Sequence, residues 1–295
     1  MKKTILITGG AGFIGSNLIR YISHNRNTYN IISLDKIKDI ASLHNVYLNK
    51  SNEFYLADIN DEHILDNIFR MTNPNIVIHL ANDNNLNFNG ISNLHKVSNK
   101  YKVEKFVYLS SSSFDIYTNE DFSCFCIDNY ITSKLFNVNY NIIRIPKCFG
   151  PRQNIFNIIP DLFLSFIKQD KVILANKGVD VYDLLYVEDL CQAILTVMEN
   201  GKDNEIYNAS INLDYTELEL AAIIRDFLIT AKDNKRLDYN IGNISLDDDS
   251  IESIKNLFVD SSKLKELGWK PERKFKENLK YTINWYINNK WFFNI

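Results

Sequence analysis

The chain has 295 residues, of which 45% are hydrophobic and 23% are charged, and this composition excludes a disordered or fibrous protein. Its 33 Lys and Arg against 36 Asp and Glu give a net charge of −3, which does not favour binding to nucleic acid or to an anionic membrane surface. No apolar run is long enough to span a membrane, and glycines interrupt the N-terminal run where the apolar core of a signal peptide would continue. We expect a cytoplasmic protein with reduced cysteines and no metal site.

Buried strands and amphipathic helices alternate along residues 1–150. Apolar runs typical of strands buried on both faces lie at 3–8, 31–35, 53–57, 76–80, 105–109 and 141–145. Apolar residues at helical spacing predict helices at 13–24, 61–71 and 91–100. This alternation predicts an α/β fold with a Rossmann-type, doubly wound parallel sheet.

The pattern changes after Gly150. Helices are predicted near 160–169, 187–200, 215–229 and 275–289, with short strands between them. We therefore divide the chain into a region 1–150 and a smaller α/β region 151–295, some of whose elements return to the sheet.

The sequence GGAGFIG joins the first strand to the first helix. Gly9 permits a tight turn, Gly12 lets the backbone approach a pyrophosphate, and Gly15 allows close packing of helix and strand. The helix, which begins with Phe13 and Ile14, offers free N–H groups to phosphates at its N-terminus. The loop therefore predicts a dinucleotide site.

Acidic residues end the next two strands. A carboxylate at Asp35 can accept both hydroxyls of an adenosine ribose and would repel a 2′-phosphate, which favours NAD over NADP. Lys36 follows it and weakens that preference a little. Asp58 and Ile59 close the third strand where adenine would lie, although Asp58 could equally cap the next helix.

Tyr130 and Lys134 form a Tyr-x-x-x-Lys pair, whose side chains share one face of a helix. The ammonium favours the phenolate, and such a tyrosine can move a proton while hydride goes to or from a nicotinamide. The alternative is a surface tyrosine and a solvated lysine. The serines at 110–113 favour a site, because ligands bind at strand ends in such sheets. His79, inside the fourth strand, is expected to be a core histidine.

Several motifs in this order resemble the extended short-chain dehydrogenase/reductase superfamily, NAD(P) enzymes that modify nucleotide sugars. They are TGGAGFIG at 8–15, LD at 34–35, DI at 58–59, HLA at 79–81, the serine cluster, YITSK and GPRQ at 150–153. Other stretches resemble the nucleoside-diphosphate-glucose 4,6-dehydratases most closely. They are LLYVEDLCQAI at 184–194, EIYNAS at 205–210, VDSSKLKELGWKP at 259–271 and the WYINNKW ending.

The resemblance implies a division of labour and a mechanism. Residues 1–150 would hold NAD, with Leu80 and Ala81 in the cofactor site, and residues 151–295 would provide most of the site for a dTDP- or UDP-hexose. Tyr130 would take the proton of the sugar 4-hydroxyl while C4 passes hydride to NAD. Lys134 would hold the nicotinamide ribose.

The serine that completes this network stays open. Strand length selects Ser111, whereas aligning Ile116-Tyr117 with the family's Val-Tyr selects Ser113. Dehydratases carry an Asp-Glu pair directly after this position to remove water across C5–C6. The first alignment leaves no carboxylate there, and the second leaves only Asp115. A dehydratase, a 4-epimerase and an NAD-binding pseudoenzyme therefore all remain hypotheses, with the dehydratase favoured by overall resemblance.

The substrate positions depart from the family pattern. Lys147 stands where an asparagine lies near a nucleotide phosphate, Tyr182 replaces an arginine, and Lys255 lies in place of an arginine pair. Arg152 is the best preserved of the diphosphate ligands. A lysine does not reproduce the fork of a guanidinium, so weakened or altered nucleotide binding is expected.

Two stretches, 81–91 and 134–144, are shorter than the family pattern. The helix carrying Tyr130 and Lys134 is not expected to exceed two turns before the sixth strand begins near Asn141. These helices form the dimer interface in the family, so the homodimer that the resemblance implies is in doubt.

Overall fold

A computed structural model of the chain describes residues 2–26, 28–37, 40–50, 52–81, 89–111, 119–133, 136–247, 259–271 and 274–293. The chain divides into two units, each assembled from three stretches of sequence. Unit 1 contains Met1–Pro146, Glu188–Ala209 and Asp260–Lys270. Unit 2 contains Lys147–Val187, Ser210–Val259 and Pro271–Ile295.

The described strands are, in chain order, Lys3–Thr8 (β1), Tyr29–Asp35 (β2), Asn52–Leu56 (β3), Ile76–His79 (β4), Lys105–Ser111 (β5), Tyr140–Ile145 (β6), Lys147–Phe149 (β7), Lys171–Leu174 (β8), Val181–Tyr186 (β9), Glu205–Asn208 (β10), Asp214–Thr216 (β11) and Asn243–Leu246 (β12). The described α-helices are Phe13–Asn25 (α1), Ile40–Asn45 (α2), Glu62–Thr72 (α3), Asn89–Lys100 (α4), Asn119–Thr132 (α5), Ile158–Lys168 (α6), Val187–Asn200 (α7), Glu217–Asp233 (α8), Ser262–Glu266 (α9) and Phe275–Asn288 (α10).

Unit 1 is built on a parallel sheet of order β10-β6-β5-β4-β1-β2-β3. The order reverses next to β1, as in doubly wound sheets, so the predicted fold class is confirmed. The six predicted strands all belong to this sheet, and β10 adds a seventh at the edge beyond β6. The carboxyl ends of β1, β2 and β4 therefore lie side by side, where such sheets bind ligands.

One face of this sheet packs against α3, α4 and α5. Leu65, Leu94 and Ile131 from these three helices are fully buried in one apolar cluster with Phe106 and Ile142 of the sheet. At about 25 cal/mol per Å² of buried apolar surface, clusters of this kind provide most of the folding free energy. Tyr130 packs at the margin of the cluster and is only partly buried.

The helix that carries Tyr130 is longer than the two turns expected. It spans 14 residues, Asn119–Thr132, because it gains its turns before Tyr130 rather than after it. Tyr130 consequently lies in the last turn of α5, and the connection to β6 is short.

Unit 2 contains the four helices predicted after Gly150, except that α7 continues from Val187 into unit 1. Its strands form a sheet of order β11-β9-β7 and a separate pair of β12 with β8. Helix α8 begins with a capping box, in which Thr216 and Glu219 satisfy each other's backbone N–H groups. The rings of Phe163, Tyr286 and Phe293 pack together between α6 and the C-terminal residues. Within the described residues, no helix is long and apolar enough to cross a membrane.

Candidate nucleotide and nucleotide-sugar site

The glycine loop after β1 leaves no room for side chains. Gly9 has a φ of +72°, and a Cβ there would lie 2.8 Å from the backbone nitrogen of Ala81. A Cβ on Gly15 would lie 2.1 Å from the carbonyl oxygen of Gly9, whereas on Gly12 it would be 3.1 Å from the same oxygen. The structure thus places Gly9, Gly12, Gly15 and Ala81 in one tight loop, as a pyrophosphate site requires.

Thr8 fixes the end of β4 beside this loop. Its hydroxyl oxygen accepts hydrogen bonds from the backbone N–H groups of Leu80 and Ala81, both at 3.2 Å, and lies 2.7 Å from Nδ1 of His79. His79 is only 2% exposed, and burial lowers its pKa to about 4, so the ring is neutral at pH 7. The prediction of a core histidine is confirmed. Its role is to hold Thr8, which in turn holds the loop.

The N-terminus of α1 is open. Gly12 is its N-cap, no side chain caps it, and Phe13 and Ile14 follow at the first two helical positions, both half-buried. The first N–H groups of a helix lack partners within the helix, so they suit a phosphate.

Asp35 ends β2 beside the same loop. Its Oδ2 accepts a hydrogen bond from the backbone N–H of Ala11 at 3.0 Å, while its other oxygen has no partner among the described residues. Lys36 is directed to Asp58, with 3.4 Å between Nζ and Oδ2. This ion pair occupies the one cation that could have favoured a 2′-phosphate.

Asp58 does not cap the helix that follows. Asp61 does so instead, since its side chain accepts from the backbone N–H of Ile64. Burial acts to raise the pKa of Asp58, but the N–H of Asn60 and the ammonium of Lys36 outweigh it and hold the pKa below its usual value. Ile59, the next residue, is 6% exposed.

Tyr130 is held by a residue that sequence reasoning set aside. Its hydroxyl lies 2.8 Å from Nδ1 of His95 on α4. Ser111 is the last residue of β5 and half-buried, and no hydrogen bond joins it to Tyr130 within the part of the chain that the structure describes. Ser113, Asp115 and Lys134 lie outside the described residues, so their predicted roles stay predictions.

A buried ion pair anchors α5 to the sheet two residues before Tyr130. The carboxylate of Asp128 lies 2.9 Å from Nε of Arg144 on β6, and their side chains are 6% and 23% exposed. Burial raises the pKa of Asp128, and the neighbouring Ser110 hydroxyl and Arg144 guanidinium offset this only in part. Sequence reasoning missed this pair, because its partners are 16 residues apart and belong to different elements.

Two of the predicted substrate residues meet in unit 2. Nζ of Lys147 lies 4.9 Å from the centre of the Tyr182 ring, a cation–π contact, and the ammonium has no acidic partner among the described residues. Burial, assisted by Glu217 and Asp180, raises the pKa of Tyr182 to about 12, so its hydroxyl stays protonated. Tyr182 can therefore donate a hydrogen bond but does not act as a base near pH 7.

Arg152, also in unit 2, is a strained and partly buried cation. Its φ is +70°, in the left-handed region that non-glycine residues rarely adopt, at a cost of about 1 kcal/mol or more. The guanidinium lies 5.2 Å from the ring centre of Trp285, and no described carboxylate pairs with it. Burial lowers its pKa. A fixed, unpaired guanidinium of this kind suits an anionic ligand. Lys255 lies outside the described residues.

The residues of unit 1 fit a dinucleotide. The loop accepts no Cβ where a pyrophosphate would approach, the N-terminus of α1 is uncapped, and one oxygen of Asp35 is available to a ribose hydroxyl.

Comparison with known proteins gives consistent results. The model of the NAD dependent epimerase/dehydratase family matches residues 5–119 and 126–210. A dTDP-D-glucose 4,6-dehydratase of Bos taurus is 29% identical over 321 residues, covering 97% of this chain and 89% of the relative. A putative UDP-glucose 4-epimerase of Methanocaldococcus jannaschii is 28% identical over 323 residues, covering 97% and 99%.

Among solved structures, the UDP-glucose 4-epimerase of Thermotoga maritima with UDP-glucose superimposes with a TM-score of 0.82 at 23% identity. The match covers 97% of this chain and 99% of that one. The likeness confirms the predicted fold.

Proposed function

Because this chain belongs to the NAD dependent epimerase/dehydratase family, as the motifs predicted, we propose that it binds NAD and modifies a nucleotide sugar through transient oxidation at C4. The observation that carries the proposal is the glycine loop closed against Ala81, with the Asp35 carboxylate tied to it through Ala11.

Each of these groups has a defined task toward the cofactor. The loop and the first turn of α1 bind the pyrophosphate through backbone N–H groups, and Asp35 accepts the hydroxyls of the adenosine ribose. The carboxylate disfavours a 2′-phosphate, and the Lys36 ammonium that would attract one is directed to Asp58. The protein therefore selects NAD over NADP.

The substrate is a dTDP- or UDP-hexose, and its diphosphate is bound in unit 2. Arg152 and Lys147 both carry unpaired charge on an aromatic face, and these two cations replace the missing arginines of the family pattern. A lysine provides a point charge rather than a fork, so the diphosphate is held less rigidly than by two arginines. Lys255 is proposed as a third cation.

Bound NAD supplies the hydride acceptor for the sugar C4 hydrogen. The Tyr130 oxygen takes the proton of the 4-hydroxyl, and Lys134 favours the phenolate form that can do so. A serine at 111 or 113 completes the hydrogen bonds to the same hydroxyl. Returning the hydride and the proton to C4 completes the cycle.

Dehydration and epimerisation differ in what happens between these two steps. The relative from Bos taurus is named a dehydratase, which favours loss of water across C5–C6. Epimerisation needs no acid–base pair next to the serine, and here only Asp115 is left to provide one. We favour the dehydratase and keep the 4-epimerase as the second candidate.

Product analysis separates the two reactions. The protein is incubated with NAD and either dTDP-glucose or UDP-glucose. A 4-keto-6-deoxy product supports dehydration, and a galactose product supports epimerisation. Tyr130→Phe is expected to abolish either reaction, because it removes the group that takes the proton, while leaving NAD bound.

Calorimetric titration of both nucleotide sugars into the NAD-loaded protein tests the substrate site. Micromolar binding is expected, weakened about tenfold or more by Arg152→Gln because a charge-assisted bond is lost. Arg236→Gln, at an exposed position of unit 2, is the matched control. Bound NAD without binding of any nucleotide sugar would indicate a pseudoenzyme instead.

A further inference from the structure

The hydrogen bond between Tyr130 and His95 joins two helices at the residue proposed to move the proton. His95 lies on α4, and Nδ1 of its ring is 2.8 Å from the Tyr130 hydroxyl oxygen. On the opposite side of the ring, Nε2 is 2.8 Å from Oδ1 of Asn137, in the connection between α5 and β6. The imidazole therefore bridges Tyr130 and Asn137.

These partners define the direction of the hydrogen bonds. The amide oxygen of Asn137 is an acceptor, so Nε2 carries the hydrogen and donates it. A neutral imidazole with hydrogen on Nε2 has its lone pair on Nδ1. Nδ1 is then the acceptor for the Tyr130 O–H. The tyrosine proton points at a base.

The ring is fixed in this orientation by packing. It stacks on Phe136 with 4.5 Å between ring centres and 20° between planes, and it meets the Tyr130 ring edge-on at 5.9 Å. Phe136 in turn packs on Phe106 of the sheet. An imidazole held on two faces loses little conformational entropy when it accepts a proton.

The groups that face His95 from neighbouring elements are few. Tyr130 faces it from α5, and the neutral Phe136 and Asn137 face it from the connection after α5. Tyr130 is thus the titratable side chain in contact with it within the described residues. On its own helix, the adjacent Lys96 is directed to Glu62 of α3.

We propose that His95 is a positioning residue that accepts the phenolic proton of Tyr130 and so sets the protonation state in which Tyr130 meets the sugar. The proposal deepens the proposed function and rests on it. In the step, the O–H bond of the sugar 4-hydroxyl breaks and its proton passes to the Tyr130 oxygen. The Tyr130 O–H bond breaks and that proton passes to Nδ1 of His95, while the C4 hydrogen leaves with its electron pair to NAD.

Storage of the proton is what this pair adds to the reaction. A cycle that oxidises and then reduces the same carbon must recover its proton with the returning hydride. Protonated His95 keeps that proton one hydrogen bond from Tyr130, so reduction does not depend on a proton from water. The charge remains near solvent, because the contact of Nε2 with Asn137 is exposed.

The pH dependence of the rate tests the role of His95. We compare kcat and KM from pH 5 to 10 for the wild type, His95→Gln and His95→Phe; the phenylalanine keeps a ring on Phe136 without a nitrogen. Both variants are expected to lose about 100-fold in kcat at pH 7, the usual contribution of a general base, with KM nearly unchanged. The loss shrinks as pH rises, because hydroxide takes the phenolic proton directly. His63→Gln, an exposed histidine on α3, is the control and keeps the wild-type profile.

Nitrogen NMR of histidine-labelled protein provides a readout without substrate. His95→Gln identifies the His95 signals by their disappearance. In Tyr130→Phe, the Nδ1 resonance of His95 is expected to move to the position of a nitrogen without a hydrogen bond, while the other histidines stay in place.

The outcomes separate the two proposals. If nucleotide sugars turn over but His95→Gln and His95→Phe keep the wild-type pH profile, the role of His95 is wrong and the proposed function stands. An unmoved Nδ1 resonance in Tyr130→Phe also overturns it. If NAD binds and no nucleotide sugar turns over, the proposed function fails, and the role of His95 fails with it.

Discussion

Replacing His79 by glutamine should change how the stability of unit 1 depends on pH. His79 is 2% exposed in β4, and burial lowers its pKa from 6.5 to about 4. Between these two values the unfolded chain binds a proton at this position and the folded chain does not. Stability from His79 is therefore complete above pH 6.5 and is lost as pH falls toward 4.

The size of the effect follows from the two pKa values. The whole shift corresponds to about 3.4 kcal/mol, at 1.36 kcal/mol for each pH unit. Between pH 7 and pH 5 the same linkage gives a loss of about 1.9 kcal/mol. Glutamine carries no proton to exchange, so the variant should be less stable at pH 7 but should lose about 1.9 kcal/mol less than the wild type on acidification.

Urea unfolding at pH 7 and pH 5 measures this difference. Trp269 belongs to unit 1, so its fluorescence in a background with Trp285→Phe and Trp291→Phe reports unfolding of that unit. His63→Gln in the same background should retain the wild-type pH dependence, since this side chain is exposed. Equal losses in His79→Gln and the wild type between the two pH values would refute the linkage.

Three further changes probe the cofactor loop and the ion pair. Gly15→Ala should lower the free energy of unfolding by about 1–3 kcal/mol and weaken NAD binding, because its Cβ would overlap the Gly9 carbonyl; urea unfolding and calorimetry measure the two effects. Asp35→Asn should weaken NAD binding about tenfold, ~1.4 kcal/mol, and narrow the preference over NADP, measured by titration of both. Arg144→Met should cost about 3 kcal/mol at pH 7, because the buried Asp128 carboxylate loses its counter-charge, and less at pH 4, where the carboxyl is protonated; urea unfolding at both pH values measures this.

Each of these has a contrasting case. Gly12→Ala should spare stability more than Gly15→Ala, since its Cβ would be 3.1 Å rather than 2.1 Å from the same oxygen; equal losses would contradict the packing argument. Unchanged selectivity between NAD and NADP in Asp35→Asn would remove Asp35 from the ribose site. A loss in Arg144→Met that does not depend on pH would show that packing, rather than charge, dominates there.

The strands of unit 1 could be predicted because their signal is local. A strand buried on both faces is a short run of apolar residues, and each of the six predicted runs coincides with a strand to within two residues at either end. The glycine loop was equally visible, because strand, glycines and helix are contiguous. β10 escaped prediction because it is an edge strand of four residues with only two buried or half-buried apolar side chains.

The setting of Tyr130 could not be predicted, because it depends on contacts between distant residues. The segment before Tyr130 shows little helical periodicity, so its three turns of helix were missed. His95 lies one turn after Ile91, at the edge of the buried face of α4, which is a signal that it packs inward. Its partner Tyr130, 35 residues later, is set by tertiary packing of α4 on α5, which no spacing rule contains.

The interrupted course of unit 1 governs the order in which a growing chain can complete it. When residues up to Pro146 have left the ribosome, β6 has β5 on one side and an open backbone edge on the other, because β10 has yet to be synthesised. The last stretch adds Trp269, which is fully buried and donates from its indole nitrogen to the carbonyl of Asp189. An unpaired strand edge invites association with other chains. The nascent protein therefore carries an adhesive edge through much of its synthesis, and chaperones that shield such edges act on it during that interval.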